Sequence, residues 1–234
     1  MTLSKSKAFT LVELSIVLVT IGLIVFAITS GADMIKAAKL RNVIAEFKRY
    51  ELAINVFRDK YNALPGDMSN ATDYWGTATS CSGLDPNGTC NGNGNGFIEW
   101  NSTNEMLRSW QMLRYAGLVE GDINTGWSFA EVLPHSDYRP GSTFWIIETR
   151  AKNAPMLSLR GSGWSNAIDG ESSWKIDTKI DDGIPNTGNM RAYGDANCAV
   201  QEDMVTPSST NYSGDATYVM GDTNTCGVKI YTSY

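Results

Sequence analysis

Histidine and cysteine are scarce in this 234-residue chain, which holds one His and four Cys. The single histidine, His135, lies between Pro134 and Ser136 with no Ser or Cys motif around it. A Ser–His or Cys–His catalytic pairing therefore has no recognisable base. Asp and Glu are plentiful, but no two stand out as the paired carboxylates that glycoside hydrolysis needs on a rigid cleft. The chain is read as not an enzyme. Other absences are local. All seven Trp, all seven Pro and 20 of the 22 Gly lie after Asn62, so the first 62 residues are a different material. Positive charge thins out at the same place. Residues 1–62 carry nine Lys/Arg against five Asp/Glu, and residues 63–234 carry ten against twenty. The later region is thus acidic by ten charges, which argues against a nucleic-acid partner, since that needs a basic surface.

The cysteines are Cys81, Cys90, Cys198 and Cys226. Four allow three pairings, and sequence alone does not choose among them. Nearness favours Cys81–Cys90 and Cys198–Cys226, each enclosing a loop rich in Gly, Asn, Asp and Ser. Zinc is the alternative, but there is no C-x-x-C pair and only one histidine. Disulfides place this region in an oxidising compartment.

The amino terminus carries most of the information. Met1 to Ala8 is polar, with Lys5 and Lys7. Phe9 to Ala32 then runs for 24 residues with one charge, Glu13. About 20 apolar residues cross a bilayer, so this stretch can span. Basic residues before it and acidic bulk after it orient the chain, leader inside and the larger region exported. A secretory signal cut near Ser30–Gly31–Ala32, or a plain single-span anchor, would account for the apolar run. Neither accounts for Glu13, because a carboxylate inside the membrane costs roughly 2.5–3.5 kcal/mol on insertion scales.

From Met34 to Tyr61 there is no Pro or Gly. Leu40, Val43, Ile44, Phe47, Tyr50, Ile54, Phe57 and Tyr61 recur at the spacing of one helical face. A single helix is expected, transmembrane over 9–32 and amphipathic over 33–62. It would be ~80 Å long at 1.5 Å per residue. Asn62-Ala-Leu-Pro65-Gly66 is its stop, since Pro lacks a donor and Gly favours a turn. The amphipathic half can pack on its own domain. The apolar half has only lipid or other copies of itself.

The residues Lys7-Ala8-Phe9-Thr10-Leu11-Val12-Glu13-Leu14-Ser15-Ile16-Val17 resemble the prepilin processing motif of type IV pilins and type II secretion pseudopilins. The resemblance implies cleavage between Ala8 and Phe9 by a prepilin peptidase, then methylation of the Phe9 amine. Because the cut precedes the apolar segment, that segment is retained. It also implies that Glu13 pairs with the amino terminus of a neighbouring subunit during assembly. Opposite charges buried in an apolar bundle stabilise each other only when matched. One departure is Ala8, where the family usually has Gly; slower or more selective processing is expected. The implied partners are other pilin-like subunits, the peptidase and methyltransferase, an inner-membrane assembly platform and lipid. The implied location is the bacterial inner membrane, single-pass, with leader cytoplasmic and residues 63–234 periplasmic, or at the cell surface when assembled.

The resemblance continues more softly through Asn62–Asp67 and Asn70–Gly76, which look like the helix exit of pseudopilin-like sequences. Ser102 and Glu105 have capping-box spacing and open a helix from Asn104 to Ala116. Its buried face is Met106, Trp110 and Leu113, and Gly117 is its stop. Thr143–Thr149 and Met156–Arg160 read as strands joined across Lys152–Pro155. Glu171–Ile180 reads as a helix, and Tyr218–Met220 and Val228–Tyr231 as late edge-type strands. The expected class is α+β and pilin-like, a long helix packed on a small antiparallel sheet with long disulfide-closed loops. Asn91, Asn93, Asn95 and Glu99 imitate a calcium loop, with Gly96 at the turn. Neutral ligands limit such a site to an affinity on the order of 0.1–1 mM. A plain Asn-Gly loop using positive φ is the competing reading. Asp177, Asp181 and Asp182 read as a helix end. The function expected is a filament subunit, a pseudopilin or minor pilin. The alternative is a signal-anchored or secreted binding protein.

Overall fold

The structure is a computed structural model. It describes residues 9–81, 83–99, 104–123, 129–149, 154–161, 167–194, 198–200, 217–218, 220 and 225–232. The leader with Ala8, the capping residue Ser102 and the connection at 150–153 lie outside these. Two compact units are formed, Met1–Arg41 and Asn42–Tyr234. One helix, α1, runs Leu11–Tyr61.

In the first unit the helix carries apolar side chains on every side. Leu14, Val17, Leu18, Ile21, Ile24 and Phe26 are all exposed. This is the composition of a membrane-crossing segment, and the helix is long and apolar enough to cross one.

In the second unit the spacing of apolar residues on α1 decides the packing. Val43, Phe47, Tyr50, Ile54 and Phe57 are buried, and Ile44 and Tyr61 are half-buried. The helix stops as expected. Asn62 takes a left-handed φ of 52° and its N–H bonds to the Arg58 carbonyl at 2.7 Å, an end that Asn tolerates. Two short helices follow, α2 (Ala71–Trp75) and α3 (Glu105–Tyr115). Next come α4 (Phe129–Val132), β1 (Thr143–Thr149), β2 (Ala154–Arg160) and β3 (Ile168–Asp169). The chain continues through α5 (Gly170–Ile180), β4 (Met190–Gly194), β5 (Ala199–Val200), β6 (Thr217–Tyr218) and β7 (Thr225–Tyr231). The architecture is α+β, a helix on a small antiparallel sheet.

Several expectations need correction. β7 is not an edge strand. It is the centre of the sheet, pairing antiparallel with β2, β3 and β4. Gly227 and Lys229 give it an edge-like composition, but Cys226, Val228 and Ile230 alternate into the core. Pro155 lies within β2 opposite Glu148, not in a connection. Its carbonyl still accepts from the Thr232 N–H at 3.0 Å. Of the described residues Tyr218 and Met220, Tyr218 is strand, in a separate pair with β5, and Met220 is not.

The capping box at α3 does not form in the expected register. Its N-cap is Asn104 in a left-handed conformation, and Glu105 is the first helical residue. Nor does α3 have one buried face, because every residue from Glu105 to Leu113 is buried. A loop spanning 66–99 wraps its polar side. Gln111 Nε2 donates to the carbonyls of Asp85 and Gly88, and Thr89 Oγ1 donates to Gln111 Oε1 at 3.0 Å. Gly66 makes the wrap feasible. Its φ is +90°, and a Cβ there would lie 2.3 Å from the Glu105 carbonyl oxygen. Gly66→Ala combines a disfavoured φ with a clash against backbone. It is expected to cost about 2–4 kcal/mol, read as a lowered denaturation midpoint with unchanged slope.

Candidate functional site

The expected assembly residues stand at the start of α1. Thr10 precedes the first helical residue, and the Leu14 N–H closes the first turn on the Thr10 carbonyl at 3.2 Å. Glu13 Oε2 accepts from the Thr10 N–H at 2.8 Å and from Thr10 Oγ1 at 2.9 Å. The Glu13 N–H donates to Thr10 Oγ1 at 3.2 Å. This is a capping box: each side chain bonds the other residue's backbone N–H. The T-x-x-E spacing of Thr10 and Glu13 is its signal in the sequence. Glu13 therefore has an intrachain partner, and its charge also sits favourably at the positive end of the helix. Phe9 and Leu11 beside it are exposed apolar side chains.

The cysteines pair as Cys81–Cys90 and Cys198–Cys226, with Cα atoms 5.7 and 5.0 Å apart. The first closes a loop held against α3. The second ties the end preceding β5 to the central strand β7.

The Asn-Gly loop is organised by two carboxylates, Asp67 and Glu105, the second of which the sequence places only in a helix cap. Asp67 accepts from the N–H groups of Asn95 and Gly96 at 3.0 and 2.8 Å. Glu105 accepts from those of Asn93 and Glu99 at 3.1 and 3.0 Å. The residues proposed as calcium ligands have contacts of their own. Asn91 Oδ1 accepts from the Thr72 N–H. Asn93 and Asn95 each accept from the N–H two residues on, and Asn93 Nδ2 donates to Glu99 Oε2 at 3.2 Å. Burial holds the Asp67 carboxyl above its ordinary range despite these donors.

Asp177, Asp181 and Asp182 do come together, with ligand atoms within 4.8 Å of one another. Each has an internal task at the end of α5. Asp177 accepts from the Tyr218 hydroxyl at 2.7 Å and from the Gly183 N–H at 3.3 Å. Asp181 Oδ2 accepts from the N–H groups of Asn189 and Met190. Asp182 accepts from Ile184 N–H and Thr187 Oγ1. His135 is exposed.

No family model, curated protein or solved structure matches the chain.

The Asp177 carboxyl is pushed up to about 6, chiefly by burial. The folded chain then holds a proton that the unfolded chain releases near pH 4. This group's contribution to stability is full below pH 4, falls as pH rises towards 6, and is lost above it. Asp177→Asn, which cannot ionise, should flatten that decline. Relative to wild type, the variant should gain about 2–3 kcal/mol between pH 4 and 6.5. Urea unfolding of both chains across this range checks the slope.

Proposed function

We propose that this chain is a structural filament subunit of the type IV pilin and type II secretion pseudopilin class. In this reading Phe9 is the mature, methylated amino terminus after cleavage at Ala8. The apolar half of α1 lies first in the bacterial inner membrane and then in the filament core. The disulfide-bonded unit faces the periplasm. The observation that carries the reading is the apolar run from Phe9 to Ala32, broken only by Glu13 and continuous with the helix that enters the α+β unit. A helix apolar on every side needs lipid or like helices around it. A carboxylate within it needs a cation when lipid is replaced by neighbouring helices. The acidic unit after Asn62, ten charges in excess from twenty against ten, is large for a bare repeating subunit. This favours a pseudopilin or minor pilin.

Intact mass of the membrane-extracted protein tests the processing. The expected terminus is Phe9 with one added methyl group, and a terminus at or beyond Gly31 would sink the filament reading.

Two substitutions separate assembly from capping. Glu13→Val removes the cap and the charge together, whereas Thr10→Val removes the side-chain bonds to the carboxylate and leaves its charge. A lost cap costs about 0.5–2 kcal/mol at the helix start. A buried amine left without its partner costs ~3–5 kcal/mol per contact. Glu13→Val is therefore expected to abolish filaments, with membrane insertion and the melting of the disulfide-bonded unit unchanged. Thr10→Val should still assemble. Equal loss in both variants would reduce Glu13 to a helix cap, and normal filaments from Glu13→Val would remove it from assembly.

A further inference from the structure

The chain has four Asn-Gly pairs, at 87–88, 91–92, 93–94 and 95–96. In such a pair the backbone nitrogen of the glycine can attack the side-chain carbonyl carbon of the asparagine, because no Cβ on the glycine blocks the approach. The attack needs a base for the N–H proton and a donor for the carbonyl oxygen. What each glycine N–H faces therefore separates the pairs. The Gly92 N–H donates to the Met68 carbonyl at 2.8 Å, and the Gly94 N–H to the Asp67 backbone carbonyl at 3.0 Å. A peptide carbonyl takes no proton at neutral pH. Gly88 is buried, and a Cβ there would lie 2.7 Å from the Thr77 backbone, which closes over it.

Asn95–Gly96 differs in each respect. The Gly96 N–H donates to the Asp67 carboxylate, 2.8 Å from Oδ2. The other oxygen, Oδ1, accepts from the Asn95 N–H at 3.0 Å, so one carboxylate holds both residues of the pair. The Asn95 side-chain oxygen accepts from the Phe97 N–H at 2.9 Å, the kind of donor that a tetrahedral oxyanion needs. Burial keeps the Asp67 carboxyl above its ordinary range, which makes it a stronger base than an exposed aspartate. Water has a way in. Asn95 and Gly96 are exposed, and a Cβ on Gly96 would meet nothing within 4 Å. Asp67, Gly94 and Gly96 also line an open cavity of about 380 Å³.

We propose that Asn95 is a self-modification site, at which Asp67 is the general base for deamidation. The Gly96 nitrogen bonds to Asn95 Cγ as its proton passes to Asp67 Oδ2, and the Phe97 N–H holds the oxyanion on Asn95 Oδ1. The Cγ–Nδ2 bond then breaks, Nδ2 takes the proton from Asp67, and ammonia departs from a cyclic succinimide. Water opens the ring at either carbonyl, giving an aspartyl or a β-linked isoaspartyl residue at position 95. Water is the co-reactant, and nothing is oxidised or reduced. The site stands within the loop and does not depend on filament formation.

The test incubates the full chain in detergent micelles at neutral pH and follows Asn91, Asn93 and Asn95 by mass spectrometry of their peptides. Hydroxylamine, which cleaves at a succinimide, reports the intermediate as a break between residues 95 and 96. In the folded chain Asn95 should convert about a hundredfold faster than Asn91 or Asn93, the low end of what a placed base contributes. A urea-unfolded sample with the disulfides intact needs no variant. There the three asparagines should convert at similar rates, and Asn95 more slowly than when folded. Asp67→Asn keeps an acceptor but no base. It should bring Asn95 down to the rate of Asn93 and leave Asn91 and Asn93 unchanged. If that variant does not fold, the comparison of folded and unfolded wild type decides alone. Equal rates at the three positions in the folded chain, slower conversion of Asn95 folded than unfolded, or an Asp67→Asn rate equal to wild type would overturn the proposal.

Discussion

Tyr50 is where the second unit is locked. Its ring lies edge-on to Trp110 at 4.9 Å and to Phe144 at 5.0 Å, so one side chain of α1 touches both α3 and the sheet. Such pairs add about 0.5–1.5 kcal/mol beyond their buried area. The larger consequence is geometric. Once α1 and α3 both converge on the apolar face of β1, that face is filled. The opposite face is left for Ser158, Arg191 and Lys229. α3, pressed between α1 and the 66–99 loop, is buried around its whole circumference. A buried helix with polar residues must find partners for them, and this requirement shapes the loop.

The legible part of the fold was the part dictated by period. The apolar stripe of α1, its stop at Asn62, the α3 and α5 helices and the β1–β2 pair all follow from spacing and turn residues. Gly117 ends α3 with a φ of 72°, as its position implied. What could not be read was order in space. β7 is seven residues with a glycine and a lysine, and nothing local says that three strands will pair with it. β3 and β5 are two residues each, too short to show alternation. The loop-holding role of Asp67 and Glu105 is not legible for a related reason. A carboxylate that holds backbone N–H groups 28 or 12 residues away leaves no local signature. Thr10 is different, because its partner is three residues on and the pattern was visible.

That pattern changes how Glu13 is understood. Sequence alone makes it an isolated charge in an apolar run, and the resemblance gives it a partner on another chain. The capping bonds show it is satisfied within its own chain as well, through Oε2. The two roles differ in magnitude. A cap contributes about 0.5–2 kcal/mol, less than the roughly 2.5–3.5 kcal/mol that placing a carboxylate in the membrane costs. Capping thus lowers the cost of Glu13 without explaining why a carboxylate stands there, since Ser or Asp at the cap position would do the same. The remaining cost is what an intermolecular cation would offset.

The acidity after Asn62 has a similar double character. Excess negative charge keeps chains apart in solution, and a surface role would leave the carboxylates in solvent. Many are instead turned inward onto backbone. Asp85 accepts from the N–H groups of Thr79 and Asn87, and Asp67, Glu105, Asp181 and Asp182 do the same elsewhere. Loops have no ladder to satisfy their N–H groups, and a carboxylate accepts several at once. In a unit where long stretches lie outside helices and strands, the acidic residues replace the missing ladder. The sheet cations Lys229 and Arg191 behave differently. Arginine and lysine cannot serve backbone N–H groups and meet the loops only as donors, as Arg108 does at the Cys81 carbonyl. Lys229 and Arg191 stand against the rings of Tyr193 and Tyr231 and form no salt bridge among the described residues. Among the described residues, these carboxylates face backbone N–H groups, while Lys229 and Arg191 face aromatic rings.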